Sequence, residues 1–393
     1  MQRYWIPELK PGIHFVGSRD WDRRMFDALV PLPEGTSYNS YLVIGDDAVA
    51  LVDTVNPGFE EELLAKLEEL LGDRDVDYIV MNHAEPDHAG GIPAVRNRYP
   101  NARVLATARG VEMAKIYFDV PDDRSQAVAD GDTVELGGKT LRFIEAPMLH
   151  WPETMFTYVE EDRLLMTCDF FGSHTAAGLY SDEDDDLIPR LQRYFGEIMM
   201  PYRRMGQRAL GKIEDLEIDL IGPSHGPLHR EIEPVLEPYR RWTAGELAEK
   251  VLIAYVSMWG STRDMAHQMA QSLGDRGVEV KLYDVLTTDT AEIARDLVDA
   301  SAIVLGAPTV LAGMHPVGVN AANLVRALRP PARYAAVLSS HGWSGGAMKQ
   351  VEEVLGGTDL EMVGYIDVKG PATAETLEDV DSLAADLAER IKS

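Results

Sequence analysis

Asn82-His83-Ala84-Glu85-Pro86-Asp87-His88-Ala89-Gly90-Gly91 follows directly on the short apolar run Tyr78–Met81. Four residue types that bind metals, at His83, Glu85, Asp87 and His88, fall within six positions. A loop at the end of a strand turns alternate side chains toward one point. A metal needs that convergence, because each ligand must come to about 2.0–2.2 Å. The competing reading is a polar turn capped by Asp87. Pro86 and the Gly90-Gly91 pair shape the loop around all four ligands and weigh against it.

Further ligand types recur downstream, each at the end of a predicted strand. His150 follows a strand over 140–145, Asp169 follows Leu164–Cys168, and His225, in Pro223-Ser224-His225-Gly226-Pro227, follows a strand over 218–222. Taken singly, each reads as a cap or a hydrogen-bonded histidine; their recurrence at three successive strand ends reads as a ligand series. Other strands are expected at 41–44, 48–53, 103–107, 133–136 and 155–159, with helices at 59–71, 187–209 and 229–249. The order of cluster, His, Asp, His resembles the metallo-β-lactamase fold. Hydrolases of that fold usually carry H-x-H-x-D-H and bind zinc; here the second position is Glu85. Carboxylates favour iron or manganese over zinc, while imidazole suits either. Four histidines and three carboxylates suit two irons, with Asp169 as the bridge.

The chain changes character near residue 250, which separates an expected domain over 1–249 from one over 250–393. Apolar strands at 251–256, 278–283, 301–306 and 334–339 are each followed by a helical pattern, and a strand at 362–367 precedes a helix at 373–391. That alternation predicts a doubly wound parallel sheet. Its first strand runs into Ser257-Met258-Trp259-Gly260-Ser261-Thr262, a hydroxyl-rich loop at a helix N-terminus where backbone N–H groups can cradle a phosphate. Lys is absent from the loop, so a nucleoside triphosphate is disfavoured, and the lack of G-x-G-x-x-G disfavours a dinucleotide. The loop looks like the phosphate loop of flavodoxins, which bind FMN. Two later strand ends add Pro308, Thr309, Val310, Leu311 and Gly313, then Ser339, Ser340, His341, Gly342, Trp343, Ser344 and Gly345. Trp259, His341 and Trp343 are the candidates to stack on a flat ring.

Composition bounds the function. The 393 residues carry 37 Lys+Arg against 65 Asp+Glu, a net charge of −28. The excess is −20 over 1–250 and −8 over 251–393, so neither half is a charged tail. Such a surface repels phosphate backbones and anionic lipid, and no nucleic-acid or membrane partner is expected. The acidic run Ser181–Asp186 reads as a solvated turn before a helix. The single cysteine, Cys168, excludes an intramolecular disulfide and an all-cysteine iron centre within the chain. The start, MQRYWIPELKPG, has no apolar signal-peptide core. A reducing cytoplasm is the expected location.

Together the two halves resemble a flavodiiron protein (A-type flavoprotein) over essentially the whole chain, including Asp20-Trp21-Asp22 and Gly35-Thr36-Ser37-Tyr38-Asn39-Ser40-Tyr41. The resemblance implies an α/β architecture: an N-terminal metallo-β-lactamase-like αββα sandwich and a C-terminal flavodoxin-like sheet. It implies one iron on His83, Glu85, His150 and Asp169, and another on Asp87, His88, Asp169 and His225, with FMN as the second cofactor. It implies reduction of dioxygen to water, nitric oxide to nitrous oxide, or both. Family members commonly carry tyrosine where this chain has His341. A minimal two-domain chain would take electrons from an external donor, a rubredoxin-like protein or a reduced deazaflavin coenzyme. It would work as a head-to-tail homodimer or a dimer of dimers. Arg190, Arg193, Arg203 and Arg204 are the basic residues such a donor would meet, although a solvated helix face is the simpler reading. A zinc hydrolase fused to an electron-transfer module is the alternative; Glu85 and the flavin loops argue against it.

Overall fold

The computed structural model describes residues 4–26 and 28–393; the side chain of Glu183 and the first three residues of the N-terminal segment discussed above lie outside the described part. The chain forms two compact units. One comprises the chain up to Tyr194 with Tyr202–Arg240, the other Phe195–Pro201 with Arg241–Ser393. The sequence-based division at 249/250 falls inside the strand Ala248–Tyr255. Among the described residues, no helix is long and apolar enough to cross a membrane.

Two sheets face each other in the first unit. A seven-stranded sheet runs in the order Glu8–Lys10, Ile13–Phe15, Tyr41–Ile44, Val49–Val52, Tyr78–Val80, Arg103–Ala106, Ser125–Ala127. A five-stranded sheet runs Thr133–Glu135, Thr140–Glu145, Met155–Val159, Leu164–Cys168, Leu220–Pro223. Alternation along the strands sorts their side chains onto two faces. Val43, Ala50, Val52, Val80 and Leu105 meet Leu141, Phe143, Met155 and Leu164 between the sheets. Leu42, Leu51, Ile79 and Val104 point the other way, onto Leu63 and Leu67 of the helix Glu60–Leu71 and Val95 of Ile92–Arg98. Each such aliphatic side chain, taken fully from water, contributes about 1.5–3 kcal/mol. On the outer face of the second sheet, Phe156 stacks on Phe170, which meets Tyr239 of the helix Glu233–Ala244 edge-on. This is the αββα sandwich expected.

Strand direction brings the ligand-bearing loops to one edge. Val49–Val52, Tyr78–Val80 and Arg103–Ala106 are parallel, as are Leu164–Cys168 and Leu220–Pro223, so their following loops share an end. Met155–Val159 is antiparallel to Leu164–Cys168, so the segment before Met155, with His150, starts at that same end. The Met155 N–H donates to the Asn82 carbonyl at 3.0 Å and ties the two loop sets together.

The second unit is a parallel five-stranded sheet in the order Glu279–Asp284, Ala248–Tyr255, Ala300–Gly306, Tyr334–His341, Glu361–Lys369. This is the 2-1-3-4-5 order of flavodoxin-like sheets. Met265, Met269 and Leu273 of the helix Ser261–Asp275 pack with Val380, Ala384 and Leu387 of Ala374–Lys392 over Val251, Ile253 and Val304.

Two helices differ from expectation. The stretch 187–209 is a helix over Leu187–Tyr194, a π turn over Phe195–Met199, a 3₁₀ turn over Met200–Tyr202 and a second helix over Arg203–Ile213. Pro201 has no N–H to continue the ladder. Gly196 also lies so close to Ala294 that an added Cβ would come within 2.4 Å of its carbonyl oxygen. The predicted helix over 229–249 is shortened to Glu233–Ala244, because His229 pairs instead with Ile221 and Gly245 (φ +74°) closes the other end.

Candidate metal centre and flavin loops

All seven predicted metal ligands meet at the loop edge of the sandwich. His83, Glu85, His150 and Asp169 form one group and Asp87, His88 and His225 another, their ligand atoms within 4.8 Å of one another in each group. In the first, Glu85 Oε2 lies 3.2 Å from His83 Nε2 and 3.1 Å from His150 Nε2. Asp169 Oδ2 is 3.5 Å from both histidines. In the second, His225 Nε2 is 3.1 Å from Asp87 Oδ2, and Asp169 Oδ1 is 3.1 Å from His88 Nε2 and 3.6 Å from His225 Nε2. Asp169 thus turns one oxygen toward each group.

The residues fit a pair of cations. Bonds of about 2.0–2.2 Å place neighbouring donors roughly 3–3.6 Å apart, which is the spacing found. Among the described residues, both oxygens of Asp87 and of Asp169 and both ring nitrogens of His88 are buried with no hydrogen-bond partner of good geometry. Buried polar atoms are rarely left so. The charges tell the same story. Burial alone would lower His88, but Asp87 and Asp169 beside it raise it to about 9. Burial would raise Asp169, yet the neighbouring His88, His83 and His225 hold it well below the carboxylate range. Glu85 is likewise held down, against burial, by its hydrogen bonds to His150 and His83. Protons on His83 and His88 balance these carboxylates where no cation does, and divalent metals would replace them.

The enclosing residues were not anticipated. Glu153 Oε1 accepts from His83 Nδ1 at 2.7 Å, and the Ser37 carbonyl accepts from His225 Nδ1 at 2.6 Å. His174, its ring 4.9 Å from that of His225, bonds Thr36 Oγ1 at 3.0 Å; burial and the nearby His225 keep it well below the usual histidine range. Tyr194 lies 6.0 Å from the His225 ring, and burial and Asp169 push its hydroxyl well up, so it keeps its proton. Glu153 lies three positions beyond His150, a spacing that could have flagged it. Tyr194 and His174 carry no pattern of their own. Arg190, proposed for a basic face, is bound to Glu34 at 2.6 and 2.8 Å and to Asp184.

The flavin-loop residues gather at the carboxyl ends of three adjacent strands of the second unit. Gly260 (φ +95°) turns the chain into the helix Ser261–Asp275, its N–H donating to Ser257 Oγ at 3.2 Å. Ser261 Oγ, at the first position of that helix, is buried without a partner among the described residues. So is Thr309 Oγ1, beyond the second strand. Thr262 Oγ1 lies 3.2 Å from Ser340 Oγ and links the first loop to the third. Val310 and Gly313 pair in a small hairpin. His341 Nδ1 bonds Asp367 Oδ1 at 2.9 Å. Trp259, Leu311 and Trp343 are at least 90% exposed. The unpartnered Ser261 hydroxyl at a helix N-terminus fits a phosphate, and the exposed aromatic and apolar side chains of these loops fit a flat ring.

Known proteins match both units. Residues 36–226 match the ODP family beta lactamase and residues 253–382 the flavodoxin family. The nitric oxide reductase of Moorella thermoacetica is 39% identical over 90% of each chain. The coenzyme F420H(2) oxidase of Methanothermobacter marburgensis is 33% identical over 94% of this chain and 95% of that one. The rubredoxin oxygen:oxidoreductase of Desulfovibrio gigas superposes with a TM-score of 0.95 at 30% identity, covering 99% of both chains. The flavodiiron protein of Giardia intestinalis superposes with 0.94 at 30%, covering 100% of this chain and 98% of that one. The chain is therefore an oxidoreductase of the flavodiiron protein family, with a non-haem diiron site and FMN as its cofactors.

Proposed function

We propose that the chain reduces dioxygen to water, nitric oxide to nitrous oxide, or both. One iron would be held by His83, Glu85, His150 and Asp169, the other by Asp87, His88, Asp169 and His225. The observation that carries this reading is Asp169, buried, with one oxygen toward each histidine group. The names of the relatives support it: a nitric oxide reductase, a coenzyme F420H(2) oxidase and a rubredoxin oxygen:oxidoreductase.

Bound iron would supply redox equivalents to the substrate, and FMN would couple a one-electron donor to that multi-electron site. The chain's own groups set the conditions. Asp169 spans the two positions and keeps them adjacent. Glu85 and Asp87 add carboxylates, which favour the higher charge of ferric iron. Phe26 and Tyr38, packed against the His225 ring, keep bulk water from that side. Tyr194 holds a proton beside Asp169. Ser257–Thr262 would hold the FMN phosphate, and the loops 308–313 and 339–345 its ring. Electrons come from a separate rubredoxin-like protein or a reduced deazaflavin coenzyme, and the working form is a cytoplasmic head-to-tail homodimer or dimer of dimers. A zinc hydrolase is disfavoured by Glu85 in the histidine position of such enzymes.

The test is anaerobic stopped-flow. Fully reduced protein, with iron and FMN quantified in the same sample, is mixed separately with dioxygen and with nitric oxide. Rapid flavin oxidation by either gas supports the reading and ranks the substrates. Slow oxidation by both, at two irons and one FMN per chain, refutes it.

A further inference from the structure

We infer that Glu153 is a positioning residue for the metal held by His83, Glu85 and His150, fixing the His83 tautomer and strengthening that position alone. The inference rests on the diiron reading above.

Among the described residues no lysine or arginine pairs with the Glu153 carboxylate, and its side chain is fully enclosed, as is that of His83. Burying an anion is costly unless something compensates it. Its Oε1 receives two donors, the Ala84 backbone N–H at 2.9 Å and His83 Nδ1 at 2.7 Å. The Ala84 N–H can only donate, so Oε1 is an acceptor, and the proton on the His83 ring belongs on Nδ1. Nε2, which faces Glu85 Oε2 at 3.2 Å and Asp169 Oδ2 at 3.5 Å, is then the nitrogen that gives up its proton to offer a lone pair when a cation enters. The loop holding Glu153 is itself fixed. Thr107 Oγ1 donates to the Glu153 carbonyl at 2.8 Å, and the next residue, Thr154, donates to the Ala146 carbonyl.

The second group is backed differently. His225 Nδ1 donates to the Ser37 carbonyl, a neutral acceptor. An imidazole bonded to a carboxylate is a more basic ligand than one bonded to an amide oxygen. Loss of such a partner typically weakens metal binding 10–100-fold. The two positions are thus unequal, and the Glu153 charge is the cause on the His83 side.

Glu153→Gln isolates that charge. The amide oxygen still accepts from Ala84 and His83, and the new N–H₂ occupies the place of Oε2, which has no partner. Purified protein is stripped of metal with a chelator, keeps its FMN, and is titrated anaerobically with Co²⁺, read by visible absorption and calorimetry. The native chain should take two equivalents. In Glu153→Gln one equivalent should weaken by about 10–100-fold and the other should be unmoved. With iron, the midpoint potentials of the bridged pair should shift, which loss of packing alone would not produce. The metal-free variant should remain folded and bind FMN as the native chain does. Unchanged affinity for both equivalents, or equal weakening of both, overturns the inference while leaving the diiron reading intact. A native chain that binds fewer than two equivalents overturns the diiron reading, and the inference with it.

Discussion

Asp169→Ala tests the bridge directly. Asp169 is 1% exposed and faces all four histidines, two through each oxygen, at 3.1–3.6 Å. Its removal strips each position to three protein ligands and separates two cations that now share a group. A ligand that binds only the folded state at 100 times its dissociation constant stabilises by about 2.7 kcal/mol, so two such sites contribute about 5 kcal/mol. For a unit of this size, 1 kcal/mol moves the unfolding temperature by about 2–4 °C. Adding ferrous iron to chelator-treated native protein should therefore raise the unfolding of the first unit by on the order of 10–20 °C. In Asp169→Ala most of that rise should vanish, iron should fall well below two per chain, and gas reduction should stop. FMN stoichiometry and the unfolding of the second unit should not change. The measurement is scanning calorimetry with and without iron, alongside metal analysis. Two retained irons with normal turnover, or an undiminished iron-dependent rise, would refute the bridging role.

Thr262→Val removes a hydroxyl from the phosphate loop while keeping its shape; hydrogen bonds to charged groups are worth about 1.5–3 kcal/mol, so FMN affinity by fluorescence titration should drop about 10–100-fold while iron content holds. Glu85→His restores the pattern of the zinc hydrolases and should shift metal content from iron toward zinc in cells supplied with both, as read by elemental analysis. His229 is buried between Ser181 Oγ and the Phe171 carbonyl, and burial lowers it from 6.5 to about 4. The unfolded chain then binds the extra proton between those values, so this contribution is complete above pH 6.5 and is lost as pH falls toward 4. Denaturant unfolding at pH 7 and pH 5 should show His229→Gln losing about 2 kcal/mol less than the native chain over that step.

The second unit was legible almost residue by residue, and the reason is physical. A parallel strand covered on both faces must be apolar throughout, so Val251–Val256 and Ala302–Leu305 stand out as runs against the amphipathic helices between them. The long helical stretch of the first half was less legible. Its pattern continues through 187–209, but whether the chain can follow it depends on Pro201 and on how close Gly196 comes to Ala294, a contact 98 positions along the chain. Helical periodicity carries no information about such a neighbour. His229 is a similar case: it lies in a helix-like stretch, yet its backbone pairs with Ile221.

Within the site, the division follows from what a histidine offers. His83 meets Glu85 at Nε2 and Glu153 at Nδ1, two carboxylates at 3.2 and 2.7 Å from one buried ring. Glu85 stands out because it shares one loop with His83, Asp87 and His88, and a loop that folds onto a cation must space its ligands tightly. Glu153 was missed because the other side of the ring answers to no such constraint. Any acceptor brought there by the fold would satisfy Nδ1, as the Ser37 carbonyl does for His225. A backbone oxygen leaves no trace in the side-chain sequence, and a lone glutamate leaves little. What the ligands bind is therefore legible from their order along the chain. How strongly each position binds depends on the groups behind the rings, which only the folded chain brings together.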